Sequence, residues 1–201
     1  SVLLVVVIAT VIAVSMIQEQ KASITATMSF VERTQTVQYA LGGEELGRQI
    51  LFEDFAEGNA RDFLTETWAD PELHFDFEDG EVNLKITDLQ GRINVNGLAN
   101  NSKQQQIIRQ RLINLLGAFG GDPALVDRIQ DWMDEDNNSR PNGAEDFGYM
   151  GLDIPYRTSG QLMIDASEIV LTGIETEIYQ VLREHLVALP EVDSALNINT
   201  A

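Results

Sequence analysis

From Ser1 to Leu41 the chain contains neither glycine nor proline, and its first stretch, Ser1 to Ile17, carries no charge. Glycine and proline are the strongest helix breakers, so a run this long without them predicts one continuous helix. The opening is almost wholly aliphatic: Leu3-Leu4-Val5-Val6-Val7-Ile8, Val11-Ile12 and Met16-Ile17, with Glu19 the first charge. A membrane-spanning helix needs ~20 apolar residues, with a lower limit of roughly 17. Three readings are open: a cleavable signal peptide ending at Ala13-Val14-Ser15, a buried core helix, and a membrane anchor. The run continues past Ser15 to Ile17 and is apolar on all sides, which favours the anchor. No methionine or basic flank precedes Ser1, so the sequence is expected to open inside this segment.

Beyond Gln18 the pattern becomes amphipathic. Ile24, Met28, Val31 and Tyr39 recur among polar residues such as Lys21, Glu32 and Arg33. The helix is expected to run on to Leu51 or Phe55, because Gly42-Gly43 and Gly47 weaken a helix without ending it. A helix of that length is not stable alone in water and calls for neighbouring helices, as in an assembly.

Residues 53–81 are acidic and aromatic and read mainly as a solvated connection. Val82, Leu84 and Ile86 then alternate with Asn83, Lys85 and Thr87, the pattern of a half-buried strand, preceded by an Asp79-Gly80 hairpin turn. Leu89-Gln90-Gly91-Arg92 reads as a turn and Ile93-Asn94-Val95-Asn96 as a second short strand. After Leu98 the pattern becomes helical. Ser102 can cap a helix with Ile108, Leu112, Leu115, Leu116 and Phe119 on one face, closed by Gly120-Gly121. Asp122-Pro123 opens another, carrying Leu125, Val126, Ile129, Trp132 and Met133. Ser167-Glu168 starts a short helix, and a longer one is expected from Glu175 to Leu189, ending at Pro190. An Asn-aliphatic-Asn core occurs twice, at Asn94-Val95-Asn96 and Asn197-Ile198-Asn199. The second copy ends the sequence, which leads us to expect further chain beyond Ala201.

The resulting expectation is an α+β chain, with a long N-terminal membrane-anchoring helix on a small antiparallel sheet and an all-α domain attached. Its parts are 1–17, the transmembrane portion of the helix; 18–97, the rest of the helix and the first strands; 98–195, the helical domain; and 196–201, the start of a further segment.

Acidic residues number 32 against 13 Lys and Arg, for a net charge of −19. Such a surface repels phosphate backbones and attracts cations. It therefore argues against a nucleic-acid role for 98–195, although Gly117, Gly120 and Gly173 stand at helix junctions as in helical-hairpin modules. Cysteine is absent, which excludes disulfides, thiolate catalysis and sulfur-ligated zinc. His74 and His185 lie in unrelated segments and read as surface or packing residues. No nucleophile elbow, phosphate-binding loop or dinucleotide fingerprint occurs, so no catalytic residue and no small-molecule substrate is assigned.

Chemistry concentrates in residues 131–146, where six carboxylates accompany Arg140. Calcium takes about six to eight oxygen ligands at roughly 2.3–2.6 Å, which a flexible polar loop supplies readily. Counting Asp134 as position one puts Asp136 at three, Asn138 at five, the Arg140 carbonyl at seven, Asn142 at nine and Glu145 at twelve, the spacing of an EF-hand loop. Ser139 replaces the usual glycine, Pro141 follows, and Gly148 and Gly151 spoil an exiting helix. The loop is thus EF-like in spacing only. Asp131 can add a ligand from the preceding helical turn. Magnesium suits the loop less, since it demands stricter octahedral geometry. A solvated acidic turn is the alternative.

The aliphatic start, Tyr39-Ala40-Leu41-Gly42-Gly43-Glu44-Glu45-Leu46, Asp88 to Asn96, Asp131-Trp132-Met133-Asp134-Glu135-Asp136, Gly143-Ala144-Glu145 with Tyr149, Ser167-Glu168-Ile169 with Gly173-Ile174, and Leu196 to Ala201 together resemble the K-type minor pseudopilins of type II secretion systems. The resemblance runs in order through essentially the whole chain. It implies a pilin-like fold with an inserted helical domain and a non-enzymatic role. The role implied is to initiate and cap the pseudopilus tip, together with I-type and J-type minor pseudopilins, for export of folded proteins. It further implies a single-pass protein of the Gram-negative inner membrane with its soluble part in the periplasm. Processing by prepilin peptidase would occur before Ser1, and the remaining strands would follow Ala201. Structural calcium is carried over onto Asp131, Asp134, Asp136, Asn138, Glu145 and Asp146. A membrane-anchored calcium-binding module for adhesion or sensing is the rival reading.

Overall fold

The computed structural model of the chain describes residues 2–57, 61–77, 80–99 and 101–201. It divides into two compact units, one of residues 1–61 and 65–86 and the other of residues 62–64 and 87–201.

In the first unit, helix α1 runs unbroken from Val2–Ala56, roughly 80 Å at 1.5 Å per residue. Its hydroxyl residues fold back onto the carbonyls of the preceding turn, as in Thr10 to Val6 (2.7 Å), Thr27 to Ser23 (2.8 Å) and Thr34 to Phe30 (2.8 Å). Such back-bonding lets serine and threonine sit inside a helix without exposing an unpaired donor. Residues 2–34 are exposed along their whole length, and the opening segment is long and apolar enough to cross a membrane.

Strands β1 (His74–Phe77) and β2 (Gly80–Asn83) pair antiparallel, with Phe75 opposite Val82. Asp79 of the expected Asp79-Gly80 turn lies outside the described residues. Most charges of residues 53–81 are exposed, as expected of a solvated connection, but the stretch also includes β1, and Trp68 is buried in this unit. Four residues with alternating charge are too short for a clear periodic signal. The alternation in burial holds downstream, with Val82, Leu84 and Ile86 half-buried and Asn83, Lys85 and Thr87 exposed, but the strand expected to continue through these residues ends at Asn83.

Gly43 and Gly47 are the buried residues of α1. A methyl group on Gly43 would meet Val82 Cγ1 at 2.6 Å, and one on Gly47 would meet Leu84 Cδ2 at 3.3 Å. The two glycines, one turn apart, form the flat seat on which the hairpin rests. Tyr39 stacks on Phe77 beside it, with ring centroids 5.0 Å apart.

The second unit holds α2 (Gln105–Ala118), α3 (Leu125–Met133), α4 (Asp146–Tyr149) and α5 (Thr176–Leu182), with 3-10 turns at Val95–Leu98 and Ala166–Thr172. Ser102 Oγ accepts from the Gln104 amide (3.1 Å) ahead of α2, and Asp122 Oδ1 accepts from the Ala124 amide (2.9 Å) ahead of α3. Gly120 (φ 77°) and Gly173 (φ 90°) take the left-handed conformation that ends the segments before them. Ile108, Leu112 and Leu116 of α2, Val126, Ile129 and Trp132 of α3, Ile169 and Leu182 share one core.

Two expectations are corrected in this unit. Ile93–Asn94 (β3) does not join the antiparallel sheet; it pairs in parallel with Leu186–Val187 (β4). Residues 87–97 consequently fold with the helices. The helix expected from Glu175 to Leu189 stops at Leu182, because the His185 carbonyl is taken by the Ile93 amide (2.8 Å).

Buried asparagines enforce this long-range arrangement. Asn94 accepts from the Leu189 amide (2.9 Å) and donates to Glu191 O (2.8 Å), while Asn96 exchanges bonds with both Met163 N and O and donates to Leu189 O. Both copies of the Asn-aliphatic-Asn echo form the same local turn, with Asn96 N donating to Asn94 Oδ1 (3.2 Å) and Asn199 N to Asn197 Oδ1 (3.1 Å).

Candidate metal centre

Helix α3 ends at Met133, and the chain leaves it extended at Asp134 (φ −83°, ψ 159°). The loop returns to the helix because two of its polar groups dock on α3. Asp131, fully buried, accepts from the Arg140 amide (3.0 Å) and the Arg140 guanidinium. Asp127 accepts from Asn142 N (3.2 Å) and Nδ2 (3.1 Å) and is itself paired with Arg109. At Gly143 the backbone passes so close to Asp131 that a methyl group there would fall on the carboxylate, so only glycine fits.

This fold-back brings Asp134, Asp136 and Glu145 together, each offering a carboxylate oxygen within 4.8 Å of the others. Glu145, only 5% exposed, has no hydrogen-bond partner for either oxygen, and Asp134 Oδ1 has none. Three buried carboxylate oxygens without donors are costly unless a cation or protons satisfy them. Burial, reinforced by Asp131, Asp134 and Asp136, pushes the Glu145 carboxyl up to about 7. An all-carboxylate donor set is that of a hard divalent ion. The residues present therefore fit one.

The other candidates are placed differently. Both Asp131 oxygens face Arg140, which also grips Asp134 Oδ2 at 2.5 Å. Asn138 is exposed, and its amide donates to Asp136 Oδ1 (2.8 Å). Asp146 Oδ1 accepts from Thr158 N and Oγ1, both at 3.0 Å, and its Oδ2 pairs with Arg157 (3.3 Å). Sequence reasoning missed the Arg140 side chain, Asp127 and the steric role of Gly143. A single arginine among six carboxylates was the available signal for the first. Below the site, Trp132 meets Tyr149 edge-on (5.6 Å) and Tyr149 stacks on Tyr156 (5.3 Å). Both histidines behave as expected: His74 is exposed, and His185 stacks on Phe119 (5.5 Å).

A long helix with an apolar opening, a glycine-seated antiparallel hairpin and a mostly helical unit define a chain of the pseudopilin class. Comparison with known proteins agrees. The sequence profile described as Type II secretion system (T2SS), protein K, matches residues 91–191. The chain is 36% identical over its whole length to a type II secretion system protein K of Pseudomonas aeruginosa, spanning 63% of that protein. It is also 36% identical to one of Pectobacterium carotovorum over 87% of the chain, spanning 56% of that protein. Among solved structures it resembles one from the GspK-GspI-GspJ complex of the enterotoxigenic Escherichia coli type 2 secretion system (TM-score 0.77, 26% identity). That match covers 87% of this chain and 64% of the other. The chain belongs to the type II secretion system protein K family, a structural component of that machinery.

Proposed function

We propose that this protein is a minor pseudopilin that joins I-type and J-type partners at the tip of a type II secretion pseudopilus, starting and capping its assembly for export of folded proteins. In this reading the opening of α1 is a single-pass inner-membrane anchor, the remainder lies in the periplasm, and the role is non-catalytic. The observation that carries the reading is the likeness, over 87% of the chain, to a chain of a GspK-GspI-GspJ complex. The exposed first half of α1 supports it, since an apolar helix left uncovered by the described residues calls for lipid and neighbouring helices.

We further propose a structural calcium ion in the 131–146 loop, held by Asp134, Asp136 and Glu145. The ion supplies positive charge that offsets the clustered carboxylates and fixes a loop poor in apolar contacts. What supports it is the pair of unpartnered, buried Glu145 oxygens. Two measurements test these readings. Co-expression with I-type and J-type minor pseudopilins, followed by purification in mild detergent, should recover a stable complex; recovery of this chain alone would count against the assembly role. Calcium should raise the melting temperature of the wild type and leave an Asp134→Ala, Glu145→Ala double variant unmoved. An unshifted wild type at millimolar calcium would remove the ion from the account.

A further inference from the structure

Arg140 is a cation placed against the carboxylates proposed to hold calcium, and simple electrostatics would make it a competitor. The geometry points to the opposite role: we propose that Arg140 is the positioning residue that presets the site, an inference resting on the calcium reading above. Three observations carry it.

The two oxygens of Asp134 are divided. Oδ2 is held by the Arg140 guanidinium at 2.5 Å, while the buried Oδ1 has no hydrogen-bond partner. With Oδ2 clamped, rotation of the Asp134 carboxylate is restrained, and the residue keeps a carboxylate oxygen within 4.8 Å of those of Glu145 and Asp136. Glu145 feels the arginine only as a nearby charge and makes no hydrogen bond to it, since neither of its oxygens has a hydrogen-bond partner. The arginine thus leaves Asp134 Oδ1 and both Glu145 oxygens without a hydrogen-bond partner.

Arg140 is itself fixed from both ends. Its amide donates to Asp131 Oδ2 (3.0 Å), its guanidinium to Asp131 Oδ1, and its carbonyl accepts from Gly143 N (3.0 Å). Asp131 is fully buried on α3, a helix embedded in the core. The path from core to site therefore runs α3, Asp131, Arg140, Asp134. In it Asp131 acts as the bracket for the arginine, with both oxygens already spent.

The planar, multi-donor guanidinium suits this bridge, whereas a lysine ammonium is a single point donor on a flexible stem. Groups that orient metal ligands from behind typically weaken affinity by about 10- to 100-fold when removed.

The test is calorimetric titration of the full chain in detergent with calcium chloride, comparing wild type, Arg140→Gln, Arg140→Lys, Asp131→Asn and the Arg140→Gln, Asp131→Asn pair. Near-ultraviolet dichroism and melting in chelator establish that each variant is folded. Arg140→Gln should bind calcium about tenfold more weakly, although it removes a positive charge from beside a cation. Arg140→Lys, which keeps the charge, should recover less than half of that loss on a logarithmic scale. The double variant should be no weaker than Arg140→Gln alone, because Asp131 acts through the arginine. Equal or tighter binding by Arg140→Gln would overturn the inference and leave the calcium reading standing, as would additive losses in the double variant. Absence of calcium binding by the wild type would overturn both. Should Arg140→Gln fail to fold, Asp131→Asn and Arg140→Lys still decide it: both must bind more weakly than wild type.

Discussion

Glu145→Gln separates what the buried carboxylate does with and without a cation. The Glu145 carboxyl is held at about 7 against an ordinary 4.5, through burial and the neighbouring Asp131, Asp134 and Asp136. At about 1.4 kcal/mol per pH unit, that displacement corresponds to about 3 kcal/mol. The folded state holds the proton more tightly than the unfolded state. The associated stability is therefore complete below pH 4.5 and lost as the pH rises through about 7. In chelator, wild type should weaken across this window by up to about 3 kcal/mol, while the neutral, isosteric variant should lack this loss. At pH 8 without calcium the variant should thus be the more stable protein. With millimolar calcium the order should invert, because the variant has lost a ligand and the ion stabilises only what it binds. Urea unfolding followed by tryptophan fluorescence at pH 5 and 8, with calcium or chelator, gives the four free energies required for each protein. A variant no more stable than wild type at pH 8 in chelator would refute the claim that Glu145 is buried uncompensated.

Four further outcomes are expected. Calcium affinity should fall as the pH drops through about 7, where protons compete for Glu145; titrations at pH 6 and 8 measure this. Gly143→Ala places a methyl group on the Asp131 carboxylate, so it should abolish calcium binding in titration while leaving helical dichroism near wild type. Gly43→Val should unseat the β1–β2 hairpin, because even the first added carbon meets Val82 at 2.6 Å. A loss of about 1–3 kcal/mol should show as faster amide exchange in residues 72–84. Asn96→Ala strips partners from Met163 and Leu189 in the core and should lower stability by about 2–4 kcal/mol in denaturant unfolding.

Much of this architecture was legible before any coordinates. A stretch without glycine or proline from Ser1 to Leu41 leaves a helix little alternative, and α1 extends through Gly43 and Gly47 because the hairpin packs against them. The period-two pattern at Val82, Leu84 and Ile86 likewise reports burial directly. The pairing of β3 with β4 was not legible, since it joins residues far apart in the chain through asparagine side chains that look like turn formers locally. In the loop that spacing singled out, three of the candidate carboxylates, Asp134, Asp136 and Glu145, converge. Spacing does not show where a side chain points. Asp146 turns to Thr158 and Arg157, and Asn142 to Asp127, through contacts that depend on how the loop folds back. The arginine looked like a mere charge in sequence and is a bridge in three dimensions.

The central claim, a role in building the secretion pseudopilus, is tested most directly in the organism that carries the gene. Disrupting it and measuring where proteins normally released to the medium accumulate reads that role without assuming any partner. Folded exoproteins should then be retained in the periplasm, and the intact gene should restore release. Undiminished release in the disrupted strain would contradict that role.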